Sequence, residues 1–283
     1  MTQTGWSSDL DMLPPRTASC HKGDFGSVGV LGGAPGMSGA ALLAGRAALA
    51  CGAGRVYLGL LDERIAVDPF APELMVAGPQ RLLDLPQPAV LVAGPGLDTS
   101  AAARQWLEAA LALNHPILLD ADALNLLARD NGLIDRLRQR QAPTIITPHP
   151  GEAGRLLAIS AATVQADRED ACEKLGHMTN AIVVLKGAGT LVRSPSGGLW
   201  QNTTGNPGMA APGMGDVLSG IIAALAAQGM APATAARTGV WLHGAAADAA
   251  VAASAGPVGL RATEVLESAR RILNEQLVAP GGG

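Results

Sequence analysis

Residues 206–225 read Asn-Pro-Gly-Met-Ala-Ala-Pro-Gly-Met-Gly-Asp-Val-Leu-Ser-Gly-Ile-Ile-Ala-Ala-Leu. A glycine-rich loop therefore ends at Gly215-Asp216 and passes directly into an apolar run that predicts a helix. Glycines allow backbone N–H groups to approach a ligand closely. The start of a helix adds unpaired N–H groups and the positive end of its dipole. The stretch therefore predicts a site for an anion such as phosphate.

Asp216 is unexpected in such a site, because its carboxylate would repel phosphate. A carboxylate is useful there if it acts as a base for a hydroxyl group or lies near a metal. The simpler interpretation is that Asp216 caps the helix, as aspartate often does. The stretch alone leaves both interpretations open.

The composition limits the possible functions. The 283 residues are 48% apolar, which is enough for a large core, but only 2% aromatic. With a net charge of −4 and no basic tract, the chain is not expected to bind nucleic acid. An anionic ligand must therefore be held by local groups.

The three cysteines, Cys20, Cys51 and Cys172, lack zinc-site spacing, and their odd number is typical of a reducing compartment. We see neither a signal peptide nor an apolar run able to cross a bilayer, so we expect a cytoplasmic protein that does not bind membranes. We expect residues 1–20 to form an N-terminal arm and residues 21–283 a single domain.

Short β-branched runs alternate with helical segments after the arm. The predicted strands are Ser27–Leu31, Arg55–Leu60, Ala89–Ala93, Pro116–Leu119, Thr144–Thr147, Ile182–Lys186, Thr190–Arg193 and Leu199–Asn202. The predicted helices are Ser38–Cys51, Ala101–Leu113, Ala123–Ala128, Ile134–Arg140, Thr163–Leu175, Asp216–Ala227, Ala233–Ala253 and Thr263–Leu277. The alternation predicts an α/β fold with a buried, mostly parallel sheet. The last two strands flank Ser-Pro-Ser-Gly-Gly, which predicts a hairpin and an antiparallel edge.

The loops that follow the predicted strands are polar or glycine-rich, at 32–39, 94–98, 120–122, 147–152 and 186–190. Ligands of open parallel sheets bind beyond the carboxyl ends of the strands, so we expect several of these loops to face one crevice. Neither a Walker A loop nor a G-x-G-x-x-G fingerprint occurs, which disfavours P-loop enzymes and hydride-transferring dehydrogenases.

Three of these loops carry groups with two possible roles. His149 lies between two prolines and is either structural or a substrate contact. Asp120 and Asp122 either orient Mg²⁺ through water or, for Asp122, cap a helix. The segment Lys186–Thr190 is a tight turn, a nucleotide site, or both.

Taken in order, these motifs resemble those of the ADP/ATP-dependent NAD(P)H-hydrate dehydratases. The matching segments are His21–Gly26, Gly32–Gly33 with Met37–Ala40, Gly94–Leu97, Asp120–Asn125, Thr147–Glu152, Lys186–Thr190 and Asn206–Gly220. The resemblance covers the chain from about His21 to Leu277 and implies a ribokinase-like three-layer α/β/α sandwich.

The resemblance also implies a lyase that repairs the S epimer of hydrated NADH or NADPH at the expense of ADP or ATP with Mg²⁺. Asp216 would be the catalytic base. The hydrated cofactor would contact Ala40, Gly96, His149 and Asp216. The adenine nucleotide would contact Lys186, Gly187, Ala188, Gly189, Thr190 and Gly215. The alternatives are a small-molecule kinase of the same fold and a non-catalytic adenine-nucleotide-binding module.

Two features differ from many members of the family. No segment is long enough to be the epimerase domain that many members carry, so we expect a separate epimerase partner. Asp98 replaces the last glycine of a Gly-Leu-Gly turn that is common in the family. The resemblance further implies a homo-oligomer, a tetramer by analogy.

Overall fold

The computed structural model describes residues 13, 15–85, 89–254 and 256–277. Within these residues, nine strands form one sheet in the order β3-β2-β1-β4-β5-β6-β7-β8-β9. They are β1 (Ser27–Gly32), β2 (Arg55–Leu60), β3 (Met75–Ala77), β4 (Val90–Ala93), β5 (Ile117–Leu119), β6 (Thr144–Ile146), β7 (Ile182–Leu185), β8 (Leu191–Arg193) and β9 (Leu199–Gln201).

The helices cover both faces of this sheet. They are α1 (Ser38–Ala50), α2 (Pro79–Leu83), α3 (Ala101–Ala112), α4 (Asp122–Leu127), α5 (Asn131–Arg138), α6 (Pro150–Leu157), α7 (Ala161–Ala166), α8 (Arg168–Thr179), α9 (Met214–Ala227), α10 (Pro232–Ser254) and α11 (Ala262–Ile272). A π-helical turn, Leu273–Leu277, follows α11.

The sheet is parallel from β3 to β7 and antiparallel at β8 and β9. Alternate residues of the buried strands point into two cores. One core includes Val28, Val30 and the buried residues of α1, α9, α10 and α11. The other includes Leu31, Leu91 and buried residues of α3 to α6 and α8. The predicted three-layer α/β/α sandwich with an antiparallel edge is confirmed.

The predicted strands are confirmed with shifts of one residue at most at each end, and β3 was not predicted. The helix predicted over 163–175 is wrong as a single element, because Asp167 separates α7 from α8. That residue has φ −143° and its carboxylate accepts a hydrogen bond from Asp170 N. The helices α2 and α6 were also not predicted.

Part of the predicted N-terminal arm lies outside the described residues. Within the described part, Leu13 is buried, with 4% of its surface exposed. Arg16 donates a hydrogen bond to Gly52 O at 2.8 Å and stacks 3.7 Å above the ring of Phe25. No helix in the described ranges is long and apolar enough to span a bilayer.

The chain runs outward from β1 in two directions, first to β2 and β3 and then to β4 and beyond. The loops after β1 and β4 therefore adjoin at the point where an open parallel sheet forms its crevice. They are joined directly, because Gly33 N donates to Pro95 O at 3.0 Å and Ala34 N donates to Gly96 O at 2.7 Å.

Replacing Gly32 by alanine should disturb this junction, because a Cβ atom there would lie 2.1 Å from Pro95 O. We expect Gly32→Ala to lower the free energy of unfolding by about 2 kcal/mol or more. Gly39 in α1 has no atom within 4 Å of the corresponding position and is the matched control. Gly39→Ala should leave stability unchanged or raise it by up to about 1 kcal/mol. Denaturant unfolding of both variants checks this, and equal effects would contradict the steric argument.

Candidate active site

A buried ion pair lies at the centre of the crevice. Lys186, directly after β7, places its Nζ 2.6 Å from Oδ1 of Asp120, directly after β5. The other oxygen of Asp120 accepts a hydrogen bond from Ser219 Oγ in α9 at 2.9 Å. Asp120 is 1% exposed. One carboxylate thus connects two strand ends and a helix.

The contact between Lys186 and Asp120 determines the ionisation state of both groups. Burial alone would raise the pKa of Asp120, but the charge and hydrogen bond of Lys186, with hydrogen bonds from Ser219 and Thr147, hold this pKa below its usual range. Burial would lower the pKa of Lys186, and the charges of Asp120 and Glu152 raise it instead. Both groups are therefore charged at neutral pH.

Gly215, in the first turn of α9, lies next to the Lys186–Asp120 pair. A Cβ atom at this position would lie 3.2 Å from Lys186 Nζ and 3.5 Å from Asp120 Oδ2. Among the described residues, the backbone N–H groups of Met214, Gly215 and Asp216 have no hydrogen-bond partner. Three free donors at a helix N-terminus beside a lysine are suited to bind an anion, so the anion site that the sequence predicts stays a prediction with a matching geometry.

The interpretation of Asp216 as an N-cap is wrong. The N-cap of α9 is Gly213, in a left-handed conformation with φ 85°, and Asp216 is the third residue of the helix. Within the described ranges its carboxylate accepts no hydrogen bond. Burial, then the charge of Asp120, raises the pKa of Asp216 to about 7. A carboxylate that is free of partners and titrates near neutrality is suited to accept a proton.

His149 is both a structural cap and an available side chain. It is the N-cap of α6, and its Nδ1 accepts hydrogen bonds from Gly151 N at 3.0 Å and Glu152 N at 3.2 Å. Because Nδ1 accepts, the neutral ring carries its proton on Nε2. Burial, then the charge of Lys186, lowers the pKa of His149. The side chain is 50% exposed, and its Nε2 lies 3.3 Å from Glu152 Oε1, so this edge of the ring faces Glu152.

Glu152, in the first turn of α6, connects the His149 cap to the buried pair. Its Oε2 accepts from His149 N at 2.8 Å and lies 3.9 Å from Lys186 Nζ. Burial raises the pKa of Glu152 to about 7, although the charge of Lys186 opposes the shift. Its sequence position beside His149 was the only signal for this role.

The interpretation of Asp122 as a helix cap is also wrong. Ala121 occupies the N-cap position of α4, and Asp122 instead accepts hydrogen bonds from Asp98 N at 2.9 Å and Asn125 Nδ2 at 3.2 Å. The oxygens of Asp120 are occupied by Lys186 and Ser219. The described residues contain no group of three or more His, Cys, Asp or Glu arranged to hold a metal.

The segment Lys186–Thr190 is the predicted turn between β7 and antiparallel β8. Gly187 and Gly189 have φ 139° and 63°, and Thr190 Oγ1 donates to Gly187 O at 2.9 Å. Arg168 donates to Leu185 O at 2.9 Å and so fixes the approach to the turn. The tip, Gly187-Ala188, is exposed.

The predicted site residues thus fall into three groups. Lys186 is part of the buried pair, Gly215 and Asp216 lie beside it in α9, and His149 adjoins it through Glu152. Gly96 is buried in the loop after β4, where a Cβ atom would lie 2.3 Å from Met37 O. Ala40 lies in the first turn of α1, in the helix that follows this loop pair. Ala188 and Gly189 remain at the turn, with no hydrogen bond to the central cluster within the described part of the chain.

Asp216→Asn should stabilise the protein at alkaline pH. A pKa raised from its usual value to about 7 means that the folded state loses stability as pH rises between about 4 and 7, because a buried carboxylate must then ionise. We expect the variant to gain about 1–2 kcal/mol at pH 8 and nothing near pH 4. Thermal melts at both values measure this, with exposed Asp135→Asn as the matched control. A gain independent of pH would contradict the assignment.

Comparison with known proteins gives a consistent result. The family described as NAD(P)H-hydrate dehydratase matches residues 28–271. The ADP-dependent (S)-NAD(P)H-hydrate dehydratase of Neisseria meningitidis is 43% identical, with 92% of this chain and 88% of that protein covered. A bifunctional NAD(P)H-hydrate repair enzyme of Coxiella burnetii is 43% identical over 95% of this chain, which spans 54% of its length.

A solved structure gives the same match. The ADP/ATP-dependent NAD(P)H-hydrate dehydratase of Bacillus subtilis, co-crystallised with ATP/Mg²⁺, superposes with a TM-score of 0.81. It is 29% identical, with 95% of this chain and 99% of that chain covered. The expected ribokinase-like architecture is confirmed.

Proposed function

The chain belongs to the NAD(P)H-hydrate dehydratase family, and we propose that it removes water from the S epimer of hydrated NADH and NADPH at the expense of ADP or ATP. The reaction restores the reduced dinucleotide. It is a hydro-lyase reaction that needs a nucleotide.

One observation carries this proposal at the level of chemistry. Asp216 presents a carboxylate without a partner in the described structure, with a pKa of about 7, in the first turn of α9. The same turn presents free N–H groups and lies against Lys186. A base for a hydroxyl and a cradle for phosphate therefore meet at one point. Binding of a nucleotide alone has no need for that carboxylate.

The arrangement suits activation of a poor leaving group. Asp216 removes the proton of the substrate hydroxyl, whose oxygen attacks the terminal phosphorus of the nucleotide. The bond between that phosphorus and the bridging oxygen breaks, and AMP leaves from ADP, or ADP from ATP. Lys186 and the N–H groups of the α9 turn stabilise the charge on the transferred group. The C–O bond of the phosphate ester then breaks and phosphate leaves with the electron pair. A proton is lost from the adjacent ring carbon to solvent, and its C–H electron pair restores the double bond of the ring.

His149 and the glycine loops are assigned to the substrate. The half-exposed His149 ring would contact the hydrated ring or its amide; its Nε2 lies 3.3 Å from Glu152 Oε1, and Nε2–H would donate to the substrate in place of this contact. Ala40, partly exposed near the junction of the loops after β1 and β4, has no bulky side chain, and the buried Gly96 allows the two loops to pack closely there. The nucleotide is assigned to Lys186–Thr190 and Gly215, where the glycine backbone is accessible.

Mg²⁺ is proposed to accompany the nucleotide phosphates, as is usual for nucleotide sites without a dedicated metal cage. The co-crystallisation of the Bacillus subtilis protein with ATP/Mg²⁺ supports this. When bound, the ion would neutralise phosphate charge. A separate epimerase that supplies the S epimer is supported by the bifunctional relatives, of which this chain spans about half.

We also propose that the protein is a homotetramer and that it is located in the cytoplasm. A homotetramer is testable by light scattering. The Ala-rich helix α10 does not by itself supply an interface, because many of its residues are buried against α9 and α11 in this chain. A cytoplasmic location is supported by three cysteines that are all free thiols.

The function is tested by turnover of prepared (S)-NADHX with ADP or ATP and Mg²⁺. NADH absorbance should return only when nucleotide is present. Asp216→Asn should reduce this turnover by about 10³-fold or more, while the affinity for ADP changes by less than about threefold. Asp135→Asn should behave as the wild type. Accumulation of a stable phosphorylated alcohol would instead indicate a kinase, and full activity of Asp216→Asn would exclude Asp216 as the base.

The pH dependence identifies the base. Because the pKa of Asp216 is raised to about 7 and the base must be ionised, kcat/KM should rise with pH to a plateau above about pH 7. Burial raises the pKa of Glu152 to about 7 as well, so Glu152→Gln is the required control. In Glu152→Gln, the rise of kcat/KM with pH should still occur near pH 7 if Asp216 is the base. Disappearance of this rise in Glu152→Gln would transfer the role to Glu152.

A further inference from the structure

A chain of hydrogen bonds joins three loops of the crevice. Asp98 N, after β4, donates to Asp122 Oδ2 at 2.9 Å. Asn125 Nδ2 donates to Asp122 Oδ1 at 3.2 Å. Arg155 Nε, in α6, donates to Asn125 Oδ1 at 2.9 Å. These hydrogen bonds give Asp122 and Asn125 a structural role. They end at Arg155, a cation that the proposed reaction does not use.

Both ends of this hydrogen-bonded series, Asp98 and Arg155, lie beside residues assigned to the substrate. Asp98 is two residues beyond Gly96, and Arg155 lies in the helix that His149 caps. The Arg155 Nη1 atom is 3.7 Å from the position that a Cβ atom of Gly151 would occupy, two residues from His149. Arg155 is therefore on the rim of the substrate half of the crevice and not at the nucleotide turn.

The way in which Arg155 is held leaves its charge available. Arg64, Arg104 and Arg193 form ion pairs with carboxylates. Arg155 is held through Nε by a neutral amide, so no carboxylate neutralises it at that contact. Its two Nη groups have no hydrogen-bond partner among the described residues, and the side chain is exposed. The Arg155 guanidinium group is thus held in one orientation, and its two Nη groups are free to contact an anionic ligand.

We propose that Arg155 binds a phosphate group of the dinucleotide substrate. The proposal rests on the proposed function, because that function supplies a dinucleotide at this rim. A planar guanidinium whose two Nη groups are free matches phosphate in a bidentate way. The net charge of the chain is −4, so an anionic substrate needs such a local cation. The phosphate is either the pyrophosphate, present in NADHX and NADPHX, or the 2′-phosphate, present only in NADPHX.

The test compares Arg155→Met with Arg129→Met. Arg129 is the matched control, because it is also held by a neutral oxygen, Thr99 Oγ1 at 3.0 Å, but lies beyond the last residue of α4. We expect Arg155→Met to raise KM for NADPHX, which carries both phosphate groups, by about tenfold or more, with kcat and the KM for ADP within about twofold. Arg155→Lys should recover part of the loss, since it keeps the charge without the planar guanidinium.

Asn125→Ala tests the orientation of the Arg155 guanidinium. It leaves the charge of Arg155 but removes its support, so KM should rise in the same direction by a smaller factor. A loss confined to NADPHX would place the contact at the 2′-phosphate, whereas an equal loss for both substrates would place it at the pyrophosphate. An unchanged KM, a loss in kcat alone, or a loss in the KM for ADP would overturn the proposal.

Direct binding separates this proposal from the proposed function. Titration with NADPH, followed by its fluorescence, measures affinity for the product dinucleotide without any turnover. Weaker binding by Arg155→Met than by Arg129→Met would support the phosphate contact even if NADHX were not dehydrated. Equal binding by wild type and Arg155→Met would overturn it even if the enzyme were active.

Discussion

The contact between Lys186 and Asp120 organises the crevice. It joins the ends of β5 and β7, and Ser219 extends it to α9. Burying two charges is costly and is offset only by good geometry and further hydrogen bonds. Those bonds are present, and removal of either partner would leave an unpaired charge in the core. The position of the α9 first turn, and with it Gly215 and Asp216, follows from this one contact.

The same contact determines which acids remain reactive. Asp120 takes the short contact with Lys186, so Glu152 is left 3.9 Å from that ammonium group and Asp216 has no hydrogen-bond partner among the described residues. The charge of Asp120 then adds to burial and raises the pKa of both Glu152 and Asp216 to about 7. A structural ion pair thus produces two carboxyl groups that titrate near neutrality. Their ionisation costs stability, a trade-off common at active sites.

Local patterns predicted most of the fold and the loops of the site. Strands β1, β2 and β4 to β8 were visible because buried strands carry continuous apolar runs. The exposed, three-residue edge strand β9 was predicted from the hairpin turn before it. Met75–Ala77 is equally short and lies at the other edge, but no such turn marks it, and it was missed. Residues far apart in sequence produced the other errors. The partner of Asp120 lies 66 residues away. The cap interpretations of Asp216 and Asp122 failed because Gly213 and Ala121 start those helices with positive φ, which capping preferences do not reveal.

The antiparallel edge gives the two halves of the crevice different characters. On the side proposed to bind the substrate, parallel strands lead into helices, so loops such as that of His149 are fixed by caps and by the hydrogen bonds from Asp98 to Arg155. On the side proposed to bind the nucleotide, β8 turns back immediately after β7, so the Lys186–Thr190 backbone is a hairpin tip that Arg168 supports through its hydrogen bond to Leu185 O. A backbone that is open on one face and anchored on the other suits a ligand held by main-chain contacts. The rigid side chains of the opposite half suit recognition of one particular ring and epimer.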